Sequence, residues 1–313
     1  MSSATVASAT VIFSEVILSA YPILIKAATA GLESQLIARM GVFTVAAAVI
    51  VSMLSGLNAI TQNLTAVSTY TTGALNILHV GSSYLGFKLL PAGDAMALFY
   101  TNPVWNVLAA SAILGEPLPS IETAAWMLLA LIGSLLVCAP SFTFGINRTS
   151  IIGILAALTA AITESCIFIW FKLHDESDKG NGKEEQTKGN NVINTSMQRM
   201  KQMYFGSFVL LILLLTFMGY FKSSQNIQKT SWTPLILFNL FIGFVGYALH
   251  FIAIPQLPTA IFSTLTFFGL VAAYGFGYLF LDEKARAASI IGSICIIIAN
   301  WRLLAINKAA RGD

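Results

Sequence analysis

Ten runs of apolar residues, most about 20 residues long and joined by short polar connections, limit what this chain can fold into. A helix needs ~20 such residues to cross the hydrocarbon core of a bilayer. The runs lie near 6–28, 33–54, 68–88, 91–114, 120–140, 150–172, 203–221, 234–256, 258–281 and 286–306. They are continuous rather than alternating, and twice the length of a membrane strand, which argues for helices over a β-barrel. Composition agrees. Only 10% of the 313 residues are charged and 56% are hydrophobic, whereas a soluble domain carries roughly 25% charged residues to cover its core. The prediction is an all-α integral membrane protein, multi-pass, with the lipid bilayer as its surroundings and the choice between plasma and organelle membrane left open.

Several functions are set aside by the same residues. A net charge of +3 with no dense Lys/Arg run excludes nucleic acid as a partner. Cys138, Cys166 and Cys295 sit in apolar runs without a CxxC, and read as small buried hydrophobes rather than disulfide or metal ligands. There is no HExxH, no Walker-type loop and no Ser-His-Asp set in accessible segments, so neither an enzyme nor a cofactor is predicted. The run from Val6 to Ala30 lacks a basic leader and is long enough to span, so it reads as a helix rather than a cleavable signal.

The runs differ in character. Ser68 to Phe87 holds Thr69, Thr71, Thr72, Asn76 and His79, and a helix that polar should line the interior. Phe205 to Phe221 is nearly all large apolar residues and is expected at the periphery. Residues 174–202 hold five acids and five bases with little that is apolar, and read as a solvated polar loop.

The chain repeats itself. An offset of 167 superposes "LLPAGDAMALFYTNPVWNVLAASAILGEPLP" on "QLPTAIFSTLTFFGLVAAYGFGYLFLDEKAR", matching Leu90 with Leu257, Pro91 with Pro258, Leu98 with Leu265, Leu114 with Leu281 and Glu116 with Glu283. The equal Pro-to-Glu spacing brackets one full span in each copy. Two halves follow, 1–145 and 146–313, the second containing the polar loop. Five spans per half is an odd number, so equivalent helices cross in opposite directions, as in inverted-repeat transporters with a site at mid-depth. Earlier in the halves, Glu15 matches Glu164 at an offset of 149 and Lys26 matches Lys172 at 146. The difference is close to one helical turn, so both registers present nearly the same face.

Polar groups at membrane depth carry the functional argument. Glu15 and Glu164 fall near the middle of the first and sixth runs, where a charged acid costs roughly 2.5–3.5 kcal/mol and must face the interior, pair, or take up a proton. Proton coupling, a counter-ion for an amine substrate, and a locked interhelical hydrogen bond all stay open. His79 and His250 lie on corresponding runs of the two halves, each a cavity group or a satisfied interhelical donor. Asn102 and Asn106 flank Pro103, which removes a backbone donor and frees a carbonyl. Tyr100, Trp105, Tyr247 and Tyr274 are candidates for an aromatic lining, and Gly275 and Gly277 for close helix contact. Arg39, Lys26, Lys88 and Asp94 stand nearer the ends of runs, where long side chains snorkel.

The segment "PAGDAMALFYTNPVWNVLAASAILGEPLPSIETAAWMLLALIGSLLV" resembles the signature of the drug/metabolite transporter superfamily, EamA-like family, through Pro103, Gly115, Glu116 and Gly133. "YPILIKAATAGLESQLIARMGVFTVAA" is similar to that family's first two helices, with Lys26 and Arg39 at its basic positions. The second half keeps Gly292 but has Leu270 for the mid-helix Pro and Asp282 for the Gly before Glu283. The resemblance implies ten transmembrane helices as two inverted five-helix repeats, both termini cytoplasmic, and secondary transport of small organic metabolites by alternating access, with proton coupling open. Related branches carry sugar phosphates and nucleotide sugars and place a Lys-Arg pair in the ninth helix, where this chain has Phe267, Phe268, Gly269 and Leu270. An organellar exchanger of such anions is therefore the second expectation, and a non-transporting scaffold or receptor the third. The expected substrate or coupling residues are Glu15, Glu164, His79, Asn102, Asn106, Tyr247 and His250, with Arg39 added by family position. The expected partners are a small organic solute and the bilayer, with protons and a homodimeric second copy left open.

Overall fold

A computed structural model of the chain describes residues 3–21, 25, 28, 30–90, 92–138, 148–180, 190–222, 231–280 and 286–311. All regular structure among them is helical: α1 (Ser3–Leu18), α2 (Leu32–Ser55), α3 (Val67–Leu89), α4 (Ala92–Phe99), α5 (Asn102–Ala109), α6 (Ile121–Cys138), α7 (Arg148–Gly180), α8 (Asn190–Phe217), α9 (Trp232–Phe238), α10 (Val245–Ala253), α11 (Thr259–Leu265), α12 (Phe268–Phe280) and α13 (Ala287–Arg311). Residues Lys26, Pro91, Asp282, Glu283 and Lys284, and the middle of the polar segment at 181–189, lie outside the described residues.

Eight stretches are long and apolar enough to cross a bilayer: Leu32–Ser55, Asp94–Leu114, Ile121–Cys138, Arg148–His174, Val192–Phe217, Trp232–Gln256, Thr259–Phe276 and Ala287–Ile306. Their outward faces carry Val45, Leu128, Leu213 and Ile298, all exposed, an arrangement that only a hydrocarbon solvent makes favourable. The chain is an integral, multi-pass membrane protein. Two expected spans fall short of the same test for different reasons. The helix α3 is 23 residues long, but its Thr, Asn and His residues lower its hydropathy. The apolar part of α1 ends at Leu18, where Ser19 and Ala20 turn just before Pro22, a residue that cannot donate to a continuing helix.

Other expectations need correction. Residues 190–202, read as part of the solvated loop, are the first turns of α8, with Ser196, Met197, Met200 and Lys201 buried. Lys201 is held there because its ammonium donates to the carbonyls of Ala59 at 2.7 Å and Gln62 at 3.3 Å, in the joint between α2 and α3. Nor is α8 peripheral. It packs against both α2 and α3, and the residues exposed on it are Ile193 near its start and Leu213, Leu214, Thr216 and Phe217 near its end. Cys166 is exposed rather than buried.

Lipid tails are as apolar as leucine, so helices in a bilayer associate through close packing more than through hydrophobic burial. Small residues mark these contacts. A methyl group at Gly73 would stand 2.6 Å from the backbone nitrogen of Ser207, and one at Gly206 would overlap the Thr69 carbonyl, so α3 and α8 touch backbone to backbone. A methyl at Gly133 would lie 2.7 Å from the Gly292 carbonyl oxygen, which fixes α6 against α13. Gly275, expected at a helix contact, has nothing within 4 Å of such a group.

Two spans are broken at mid-depth. Tyr100 and Thr101 separate α4 from α5, and Thr266 and Phe267 separate α11 from α12. Pro103 accounts for the first break. The second has no proline, yet both use one device. The Thr101 hydroxyl donates to the Leu98 carbonyl at 2.7 Å and the Thr266 hydroxyl to the Ser263 carbonyl at 2.8 Å, each three residues back, tightening the turn. The backbone beside each break follows suit, with Val104 bonded to Thr101 and Gly269 to Thr266.

Candidate functional site

The polar face of α3 repeats at helical spacing through Thr69, Thr72, Asn76 and His79, all buried, and it lies along α7 and α8. That packing brings His79 to Glu164 on α7, with Nε2 2.9 Å from the carboxylate Oε2. The other ring nitrogen of His79 stands 3.1 Å from the Ala160 carbonyl. On the opposite side, α1 packs against α10, and Glu15 Oε1 sits 3.1 Å from His250 Nδ1. The second nitrogen of His250 is 3.7 Å from Glu164 Oε1. Glu15 also accepts from the Tyr100 hydroxyl at 3.4 Å. The result is an alternating row, Glu15, His250, Glu164, His79, with every member buried and the longest gap in the middle.

This arrangement explains how two acids survive at membrane depth. Each carboxylate faces an imidazole within ion-pair distance, although the 3.7 Å contact between His250 and Glu164 is too long for a hydrogen bond. A buried carboxylate–imidazole pair can exist as two charges or as two neutral groups, and passing between these forms requires only a short proton shift. The four groups come from α1, α10, α7 and α3. Glycine keeps the space open: a methyl at Gly269 would lie 2.9 Å from Glu15 Oε2 and would overlap the Tyr100 hydroxyl.

Beside the row lies a cavity of about 60 Å³, bordered by Glu15, Glu164, His250, Arg39, Tyr247 and Asn102, with Tyr21, Tyr84, Phe99 and Tyr100 among its aromatic walls. It is large enough to hold water. Arg39, expected to snorkel from a span end, is 2% exposed. Its guanidinium lies 4.4 Å from the centre of the Tyr247 ring, 4.9 Å from Tyr21, 5.1 Å from Phe43 and 5.7 Å from Tyr84. It donates to the Tyr204 hydroxyl at 3.3 Å, while its Nε has no hydrogen-bond partner. The quadrupoles of four rings offset part of the desolvation of that charge, each by roughly 0.5–2 kcal/mol.

Of the residues singled out from sequence, Glu15, Glu164, His250, Arg39, Tyr247 and Asn102 come together at the cavity, and His79 joins them through Glu164. The side-chain oxygen of Asn102 is buried without a partner there. Asn106 goes elsewhere: its amide donates to Ser263 at 3.1 Å and clasps α5 to α11. Trp105 is exposed on the outer surface, and Tyr274 accepts from the Arg286 backbone, so neither lines the cavity. The aromatic cage of Tyr21, Tyr84 and Tyr204 was not legible, since single tyrosines in apolar runs carry no periodic signal. A second polar cluster joins α7 and α11 to the end of the span that contains α5. Glu116, after the left-handed Gly115 that ends its span, pairs with Lys172 at 2.8 Å and accepts from Thr259 at 3.0 Å.

Residues 192–304 match the model of the EamA-like transporter family, so the match falls on α8 to α13 rather than on the 91–137 segment that carries the resemblance in sequence. One solved crystal structure is 16% identical over 96% of this chain and 96% of its own, with a TM-score of 0.68; at that identity the likeness is one of fold. No curated protein matched.

Proposed function

We propose that the chain is a secondary transporter of small organic metabolites, taking as premise the match of residues 192–304 to the EamA-like transporter family. In this reading it works as a carrier and not as an enzyme, with ten membrane helices in two inverted five-helix repeats and the solute held between them.

The observation that carries the reading is the crossing of the two acid–histidine pairs. Glu15 and His79 belong to the first half, Glu164 and His250 to the second. Each acid pairs with the histidine of the other half, at 3.1 Å and 2.9 Å. Exchanging the halves turns one pair into the other. The packing supports the same exchange: α1 on α10 becomes α7 on α3, while α2 on α8 and α6 on α13 map onto themselves. The two mid-depth breaks, at 100–101 and 266–267, also correspond to within a residue at the offset of 167. Such a symmetric centre supports two equivalent arrangements in which one side of the cavity closes as the other opens. In this reading the Glu116–Lys172 contact closes one end, and the acid–histidine row serves as the coupling element, because a proton moved from one pair to the other changes which interhelical contact is charged.

The test is Glu15→Gln combined with Glu164→Gln in proteoliposomes. Accumulation of labelled metabolites driven by a pH gradient should vanish, while counterflow exchange and membrane insertion persist. Undiminished gradient-driven uptake in the double variant removes the coupling claim, and absence of any uptake or counterflow across a broad metabolite panel in the wild-type protein removes the carrier reading.

A further inference from the structure

We propose that the transported solute carries a single negative group, a carboxylate, and that Arg39 is its binding partner; this rests on the carrier reading above. The case begins with charge balance inside the bundle. A guanidinium stays protonated under all ordinary conditions. Arg39 is 2% exposed on α2 and borders the cavity. Among the described residues no carboxylate comes within ion-pair distance of it, because both nearby acids are engaged by histidines, Glu15 by His250 at 3.1 Å and Glu164 by His79 at 2.9 Å. Each acid has a histidine as its ion-pair partner, and Arg39, which feels the Glu164 charge only at longer range, is held by ring faces and tyrosine hydroxyls.

A buried charge without an opposite charge is a costly arrangement unless something supplies the missing partner. Ring faces can cradle the flat side of a guanidinium, but they do not accept its N–H bonds, and Nε is unpartnered. Guanidinium edges match carboxylate geometry with two parallel bonds. One arginine, the other base on the cavity wall, His250, being paired with Glu15, suits a monovalent carboxylate better than a doubly charged phosphate. Most of the remaining wall is aromatic or aliphatic, with Tyr84, Phe87, Phe99, Tyr100 and Met96 beside the hydroxyls of Ser19, Ser83 and Thr266, so the body of the solute is a small apolar or aromatic group. The unpartnered side-chain oxygen of Asn102 accepts a hydroxyl or amide of the solute across the same space.

The experiment is ligand binding to the purified full-length protein in detergent, by calorimetry, using benzoate, phenylphosphate and benzylamine as matched probes. Benzoate should bind and benzylamine should not. Arg39→Gln, which keeps a donor for Tyr204, should weaken benzoate binding by at least about 30-fold, and Arg39→Lys by about tenfold. Preference for benzylamine, preference for phenylphosphate, absence of benzoate binding, or unchanged benzoate affinity in a folded Arg39→Gln protein would each overturn the assignment. The three-probe comparison needs only the wild-type chain, so it decides the matter even where a variant does not fold. Benzoate that binds but is not exchanged across proteoliposomes would leave the anion site standing and sink the carrier reading instead.

Discussion

The crossed pairs make a quantitative prediction that can be measured without knowing the solute. Glu15 and His250 are 3.1 Å apart and buried. Opposite unit charges at that distance attract by about 5 kcal/mol at an effective dielectric constant of about 20. Desolvation of both groups offsets much of this, but removing one partner strands the other and costs about 3–5 kcal/mol. Replacing both by glutamine strands neither. A double-mutant cycle of Glu15→Gln and His250→Gln should therefore be strongly non-additive, with a coupling energy of about 2–3 kcal/mol. The Glu164→Gln and His79→Gln cycle should give a similar value, since that pair is 2.9 Å apart. Of the four single changes Glu164→Gln should cost most, because Glu164 also faces His250 at 3.7 Å. The assay is equilibrium unfolding in mixed micelles with increasing dodecyl sulfate, followed by tryptophan fluorescence. Additivity within about 0.5 kcal/mol in both cycles would refute the paired centre.

Other expectations follow from the packing. Gly206→Ala places a methyl against the Thr69 carbonyl and should cost about 1–3 kcal/mol by overpacking, read as a lower melting temperature, whereas Gly275→Ala, facing open space, should stay within about 0.5 kcal/mol of wild type. Gly269→Ala presses on Tyr100 and Glu15, and should reduce gradient-driven uptake far more than it reduces melting temperature. Glu116→Gln removes the charge facing Lys172 while keeping an acceptor for Thr259; the pair is partly exposed, so the loss is at most about 1 kcal/mol, seen as exchange accelerated up to about fivefold if that contact limits opening.

What the sequence determined by itself was the solvent. Apolar runs of helical length with so few charges can only face lipid, and the eight stretches found in the structure lie within a few residues of runs marked from sequence, apart from the start of α8. That exception is instructive. The apolar face of α8 between Met197 and Met203 is interleaved with Arg199 and Lys201, so the charges read as solvation, whereas the fold answers them individually. Arg199 donates to the Phe171 carbonyl and Lys201 to Ala59 and Gln62. Helix ends were equally local matters, as Pro22 and Gly115 show.

The site was half legible. An acid at bilayer depth must be compensated wherever it falls, so Glu15 and Glu164 could be singled out from sequence, and the histidines followed from their places in the two halves. Their pairing was beyond the sequence, because it depends on which helices lie side by side: α1 on α10 and α3 on α7, each acid meeting a histidine more than 80 residues away. Arg39 illustrates the same limit. Its position in α2 suggested a side chain reaching for the membrane surface, and only the assembled bundle, which closes four aromatic rings around it, turned it inward. Burial of one residue can be inferred from its own run of neighbours, but the identity of what it is buried against is set by packing between segments far apart in the chain.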